Sequence, residues 1–139
     1  MREHGRNAGP EVEAYQKGGG GKKGDAWCSW FVSWCLRKAH VKTAYFGAAR
    51  SWFDARHIIW QNGRGFAPQT GDVVGYQWGN SRIAHVGFID VWGPGPSCQT
   101  VEGNTSGGRE NRDGDGVFKN WRLKRQVTAV ANVIDNPSY

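Results

Sequence analysis

A chain of 139 residues is long enough for one domain that buries roughly two-thirds of its unfolded surface, so it needs no disulfide staple and has no room for a second core. Hydrophobic residues make up 38% of it, including eight Trp, six Phe and four Tyr; that excludes a disordered chain, and 21 glycines imply many turns. Eighteen basic against twelve acidic residues leave a net charge of +6, which favours a polyanionic partner: nucleic acid, anionic lipid, or a bacterial wall with its acidic polymers.

The opening residues MREHGRNAGPEVEAYQ lack the apolar middle of a secretory signal, and no apolar run reaches the roughly 20 residues of a membrane span. The expectation is a protein made in the cytoplasm, or exported by another route, and not inserted in a membrane. GPEVEAYQK predicts a short first helix with Pro10 in its first turn, broken by GGGGKKG. From Trp27 to Ala39 the apolar positions 27, 30, 31, 34 and 35 follow helical spacing. Asp25 or Gly24 is placed to cap the start, and Arg37 and Lys38 lie in the last turn. A further helix is predicted over TAYFGAARSWFDARHI, ended by NGRG.

After Pro68 the texture changes. GDVVGYQW, AHVGFIDVW, SCQTVEG, GVFKNWRL and VTAVANVI are short β-branched and aromatic runs between Gly, Pro and Asn clusters, and read as strands. Helices first and strands afterwards predict an α+β domain, with the helices on one face of an antiparallel sheet of about five to six strands. The domain is single, residues 1–139, with its core at about 11–135.

The cysteines Cys28, Cys35 and Cys98 are odd in number and contain no C-x-x-C, so they match no zinc framework and at least one is free. Cys35 lies two helical turns from Cys28 and reads as a small core residue, as does Cys98 after its Gly-Pro turn. Cys28 falls in the first turn of a predicted helix, where the dipole and unpaired N–H groups favour a thiolate.

A base for it is sought among four histidines. His4 is near the terminus, and His40 and His57 sit at predicted helix ends, where solvated or capping roles are ordinary. His85 shares one strand face with Gly87, Ile89 and Val91, and Gly87 leaves room above the sheet beside the imidazole. In the next strand Cys98, Thr100, Glu102 and Asn104 share a face. A hairpin through GPGPS makes the two strands antiparallel, and a register that sets Glu102 or Asn104 beside His85 completes a Cys-His-Glu/Asn relay.

WCSWFVSWCLRKAHV, PQTGDVVGYQW, IAHVGFI and VEGNTSGG, in this order, resemble the CHAP domain, the cysteine- and histidine-dependent amidohydrolases/peptidases of peptidoglycan, and among them most the endolysins of phages of actinobacteria. The resemblance runs from about Glu11 to Arg122. It implies a papain-like fold, Cys28 as nucleophile, His85 as base, and Glu102 and Asn104 as the residues that orient the base, with Glu102 favoured as its direct partner through Nδ1–H and Nε2 facing the sulfur. The implied reaction is hydrolysis of a wall amide, either the muramoyl–L-alanine bond or a peptide bond, through a covalent acyl-enzyme.

Peptidoglycan is then the partner, with no nucleic acid, no membrane insertion and a monomeric state, and host lysis is the implied role. Some members bind calcium in an acidic loop before the cysteine. Here that region, KGGGGKKGDAW, has Asp25 as its only acid, so no metal and no cofactor are expected. NRDGDGVFKNWR resembles an EF-hand loop, but Arg122 stands where the bidentate Glu belongs, and a turn between strands is the better reading. No separate wall-binding domain is seen. The rival readings are a bacterial autolysin or secreted wall-degrading toxin with the same chemistry, and a non-catalytic cationic module that binds wall or nucleic acid.

Overall fold

The computed structural model describes residues 27–77, 82–105 and 116–139, with the side chains of Asn104 and Thr105 outside it. The expected first helix, the basic stretch Lys17 to Lys23 and the start of the EF-hand-like loop lie outside the described residues. Helix α1 spans Cys28–Lys38. Cys28, Phe31, Val32 and Leu36 are buried along it, an i, i+3, i+4, i+8 stripe that turns one face inward. The N-cap is Trp27 and not Asp25 or Gly24, and it makes no side-chain cap bond. Its indole is fully buried, so core packing and not a cap fixes where the helix begins. Among the described residues no capping side chain competes for the N–H groups of the first turn.

The second predicted helix, over residues 43–58, does not form. Only Ala49–Trp52 makes a single 3-10 turn. Beyond a few local turns, the backbone of this segment is tied to α1 at Phe46: its N–H donates to Ser33 Oγ at 2.9 Å, and Ser29 Oγ donates to its carbonyl at 2.7 Å. Trp52, fully buried, donates its indole N–H to Ser29 Oγ at 2.9 Å. Gly47 lies against Trp30 so closely that a Cβ there would be 2.3 Å from the ring. Tertiary bonds and aromatic packing have overridden a helical pattern.

Among the described residues seven strands, not five or six, form one sheet: β1 (Ile58–Gln61), β2 (Arg64–Gly65), β3 (Val73–Gln77), β4 (Ile83–Val91), β5 (Ser97–Thr105), β6 (Gly116–Leu123) and β7 (Ala129–Ala131). Their order is β2-β1-β7-β3-β4-β5-β6, and every pairing is antiparallel. The additional pair is the β1–β2 hairpin, turned by Asn62 at φ 51° and Gly63 at φ 86°. Positive φ at both central residues is what an Asn-Gly turn of type I′ requires.

Each face of the sheet has its own core. On one, α1 packs against β4 and β5, and Phe31, Val32 and Leu36 meet Val73, Val86 and Ala131. On the other, Val74, Tyr76, Ile89, Cys98, Val127 and Val130 cluster. Trp60 of β1 reaches Trp92, just past β4, with ring centroids 5.1 Å apart, although two strands separate β1 from β4. The sheet therefore curls around this second core. Gly103 lets α1 approach β5: a Cβ there would be 2.7 Å from Trp27 Cζ3 and 2.8 Å from Phe31 Cγ. Gly103→Ala should cost roughly 1–3 kcal/mol through overpacking, read from the urea midpoint; an unchanged midpoint would mean that α1 is not seated against β5 at this point.

Candidate active site

Cys28 is the first residue of α1, and its sulfur is held by the His85 ring and by the backbone N–H groups of Val86 and Ser29. The small residues Gly47, Ala48, Ala49 and Ala84 leave a cleft open beside it, into which Arg50 and Arg82 also face. Cys28 is 7% exposed.

His85 is fully buried on β4, paired across the ladder with Tyr76 of β3 and stacked on the Tyr76 ring at 5.8 Å. Its Nε2 lies 2.8 Å from Glu102 Oε1. The ring is thus turned opposite to expectation. Nε2 meets the carboxylate, and Nδ1 is the nitrogen left for the sulfur. Strand register explains the contact. Phe88 pairs with Val101 and Ile89 with Thr100, which sets Glu102 against Gly87, so the carboxylate reaches His85 across a residue without a side chain. A Cβ at Gly87 would be 2.6 Å from Glu102 Cγ and 2.7 Å from the Val101 carbonyl. The space that Gly87 leaves is filled by Glu102.

Glu102 is itself fully buried. Beyond His85 it accepts hydrogen bonds from Tyr76 Oη at 2.9 Å, Thr100 Oγ1 at 2.6 Å, and both Nε and Nη2 of Arg122. Arg122, 3% exposed, also lies over the Tyr76 ring at 4.9 Å. Sequence reading missed this residue. The available signal was alternation in β6: Arg122 shares a face with Asn120 and Phe118, and its β5 partner is Cys98. Read by hydrophobicity alone, that strand puts Trp121 inside; Trp121 is 71% exposed and Arg122 is buried.

The electrostatics follow from the geometry. Burial alone would push the Glu102 carboxyl up, but the His85 and Arg122 hydrogen bonds and charges overcome this and hold it well below the usual carboxylate range. Burial would depress the His85 imidazolium; hydrogen bonds and charge from Cys28 and Glu102 outweigh it and raise His85 from 6.5 to about 9. Burial would raise the Cys28 thiol; His85 and the two backbone N–H groups reverse this and lower it. The lowered thiol and the raised imidazole both favour a thiolate facing an imidazolium, itself facing a carboxylate. Such a pair can deliver a nucleophile at one end and a proton at the other.

The other thiols contrast with it. Cys35 is pushed up to about 11 by burial, and Cys98, in the second core, is also raised by burial; all three cysteines are free. Of the remaining expected site residues, Asn104 lies in β5 two positions beyond Glu102, and it is Glu102 that reaches His85. His40 is exposed past the end of α1 at φ 63°. His57 is not solvated, as its predicted helix-end place implied. It is buried at 1% exposure, bonded through Nδ1 to Asp54 and stacked on Tyr139 at 3.6 Å.

The signs fix two outcomes. Because folding raises the His85 pKa, its contribution to stability is complete below about 6.5 and is lost as pH rises through about 9. Glu102→Gln removes the charge facing Nε2, so the His85 ring, followed by NMR titration, should lose its proton at lower pH than in the parent. A titration that stays near 9 would deny Glu102 that influence. Arg122→Met strips the buried carboxylate of its counter-charge and should destabilise the fold by about 3–5 kcal/mol, measured by urea unfolding; a loss below about 1 kcal/mol would show that the pair is not coupled as its geometry indicates.

Comparison with known families matches residues 18–104 to the CHAP domain. Comparison with curated proteins and with solved structures finds no match. The matched span contains Cys28, His85, Glu102 and Asn104 and ends before β6, so Arg122 is a feature of the structure that the match does not reach. A helix that opens on Cys28, set against a curled antiparallel sheet, together with a match over more than half its length, makes this chain a member of the CHAP domain family, whose members are generally hydrolases acting on peptidoglycan.

Proposed function

We propose that the protein hydrolyses an amide bond of bacterial peptidoglycan with Cys28 as nucleophile and His85 as acid and base. The observation that carries this reading is the unbroken line of contacts from Cys28 through His85 to Glu102 in a CHAP domain. The Cys28 thiolate attacks the scissile carbonyl, and first-turn backbone N–H groups of α1, which no capping side chain occupies, are the donors at hand for the oxyanion. His85 donates its proton to the departing amine as the tetrahedral adduct collapses to a thioester. The neutral imidazole then takes a proton from water as the water attacks the thioester, and the second collapse releases the acid and restores thiolate and imidazolium.

Glu102 holds the ring and its charge, and Asn104 carries a secondary orienting role by family order. All of these residues belong to one chain, so a monomer suffices. The motif wording resembles phage endolysins, which supports host lysis as the biological role and the bacterial wall as the place of action. A purely binding module would have no use for a buried thiolate.

Cys28→Ala and Cys28→Ser should lower lysis of susceptible walls by at least about 10³-fold, because no thioester can form on carbon and a serine hydroxyl is a far weaker nucleophile here. Cys35→Ala and Cys98→Ala should remain active. Near-full turbidity clearing by Cys28→Ala would overturn the mechanism, and mass spectrometry of fragments released by the parent identifies the bond.

A further inference from the structure

The cleft beside Cys28 carries an asymmetry of charge. Among the described residues around it, Arg50 and Arg82 are charged, both positively, and none is acidic. Both are exposed, and among the described residues neither forms an ion pair. The remaining walls are small, with glycine and alanine at 47, 48, 49 and 84, so the space accepts a polypeptide-like substrate backbone and the arginines supply the polar recognition.

Both arginines stand on fixed supports. Arg50 belongs to the 3-10 turn that Trp52 anchors to Ser29 of α1, the residue next to Cys28. Arg82 immediately precedes β4, whose Ile83 packs into the first core.

From these features we infer that Arg50 and Arg82 select substrates bearing a free carboxylate close to the scissile amide. The inference rests on Cys28 being the nucleophile proposed above. For reaction, the scissile carbonyl must come within roughly 3–3.5 Å of the sulfur, so a group that meets the arginines lies only a few bonds from that carbonyl. In a peptide, the anions at such a place are carboxylates: the side chain or α-carboxyl of an acidic residue, or a free C-terminus. Guanidinium groups match a carboxylate with paired N–H donors and keep their charge at all working pH values. In this reading the cleft is specific for acidic stem peptides, and amidation of the stem is a means of resistance. Arg50 and Arg82 are specificity determinants and take no part in the proton transfers.

The test compares two disaccharide-peptide fragments, identical except that one has free carboxylates and the other has carboxamides, each retaining the sugar–peptide amide and the peptide bonds. The parent enzyme should cleave the free-acid fragment with kcat/KM roughly 10- to 100-fold higher, the range expected of charge-assisted hydrogen bonds. In Arg50→Gln and Arg82→Gln that ratio should fall toward 1, with Arg→Lys at either position restoring part of it. The ratio within one preparation does not depend on the fraction of protein folded, so a partly unfolded variant still gives a reading. Equal cleavage of both fragments by the parent overturns the inference while leaving the hydrolase reading intact. A high ratio that both Gln variants retain overturns the assignment to these arginines. If the parent cleaves neither fragment, the hydrolase reading fails and takes the inference with it.

Discussion

The burial of one carboxylate, Glu102, is the constraint on which the rest of the site depends. Removing a charge from water costs several kcal/mol even after relaxation, and a protein tolerates it only where counter-charges and hydrogen bonds replace the lost hydration. Five donor groups do so here: His85 Nε2, Tyr76 Oη, Thr100 Oγ1 and two nitrogens of Arg122. They come from four strands, β3, β4, β5 and β6. Satisfying the carboxylate therefore requires those strands to be in register and the sheet to be curled. In return the carboxylate fixes the His85 ring and keeps its proton. A charged imidazole beside Cys28 then holds the thiol below its ordinary value.

The two faces of the sheet divide the work. The curled side stores the charge network beside the second core, where Tyr76 and Cys98 exclude water. The other side receives α1 and fixes where its first turn ends up. Gly103 allows the close approach. Ser29 and Ser33 then bind the following loop back onto the helix through Phe46. The same bonds that stop residues 43–58 from becoming a helix make them a wall of the cleft. A surface helix at this place would have satisfied its own backbone and left the side of Cys28 uncovered.

Much of this was legible in the sequence, and the exceptions have physical reasons. Short β-branched and aromatic runs between Gly, Pro and Asn clusters mark the five strands after Pro68. The stripe of α1 is equally plain, and chain order and strand face bring Cys28 and His85 together with either Glu102 or Asn104, between which the CHAP resemblance favours Glu102. Lost were features decided by contacts distant in sequence. Ala48, Ala49, Trp52 and Phe53 suited a helix, but Trp52 is buried through a bond to Ser29, 23 residues away. Asn62-Gly63 is a strong hairpin signal, but it follows closely on the helical pattern of residues 43–58, where a helix end and a hairpin turn have the same residues. The orientation of the His85 ring depends on which side of the imidazole Glu102 approaches, and that follows from the placement of Glu102 against Gly87, which no alternation rule supplies. Arg122 escaped because a charged residue inside a sheet is rare unless paired, and its partner was known only as a candidate orienting group.

Cys28, His85, Glu102 and Arg122 form a chain of four buried groups, and when the Cys28 thiol is ionised their charges alternate: thiolate, imidazolium, carboxylate, guanidinium. Each is under a tenth exposed, and together they sum to zero. A neutral chain of this kind avoids leaving a net charge in the interior, and each member is stabilised by the opposite sign on either side. It also explains why Arg122 is needed although it is remote from the sulfur. With only Cys28, His85 and Glu102, the interior would hold one excess negative charge, and the cheapest relief would be a proton on Glu102 or on Cys28, either of which weakens the thiolate–imidazolium pair. The guanidinium is the one member that cannot give up its charge at working pH. It stands at the opposite end of the chain from Cys28, which lines the cleft.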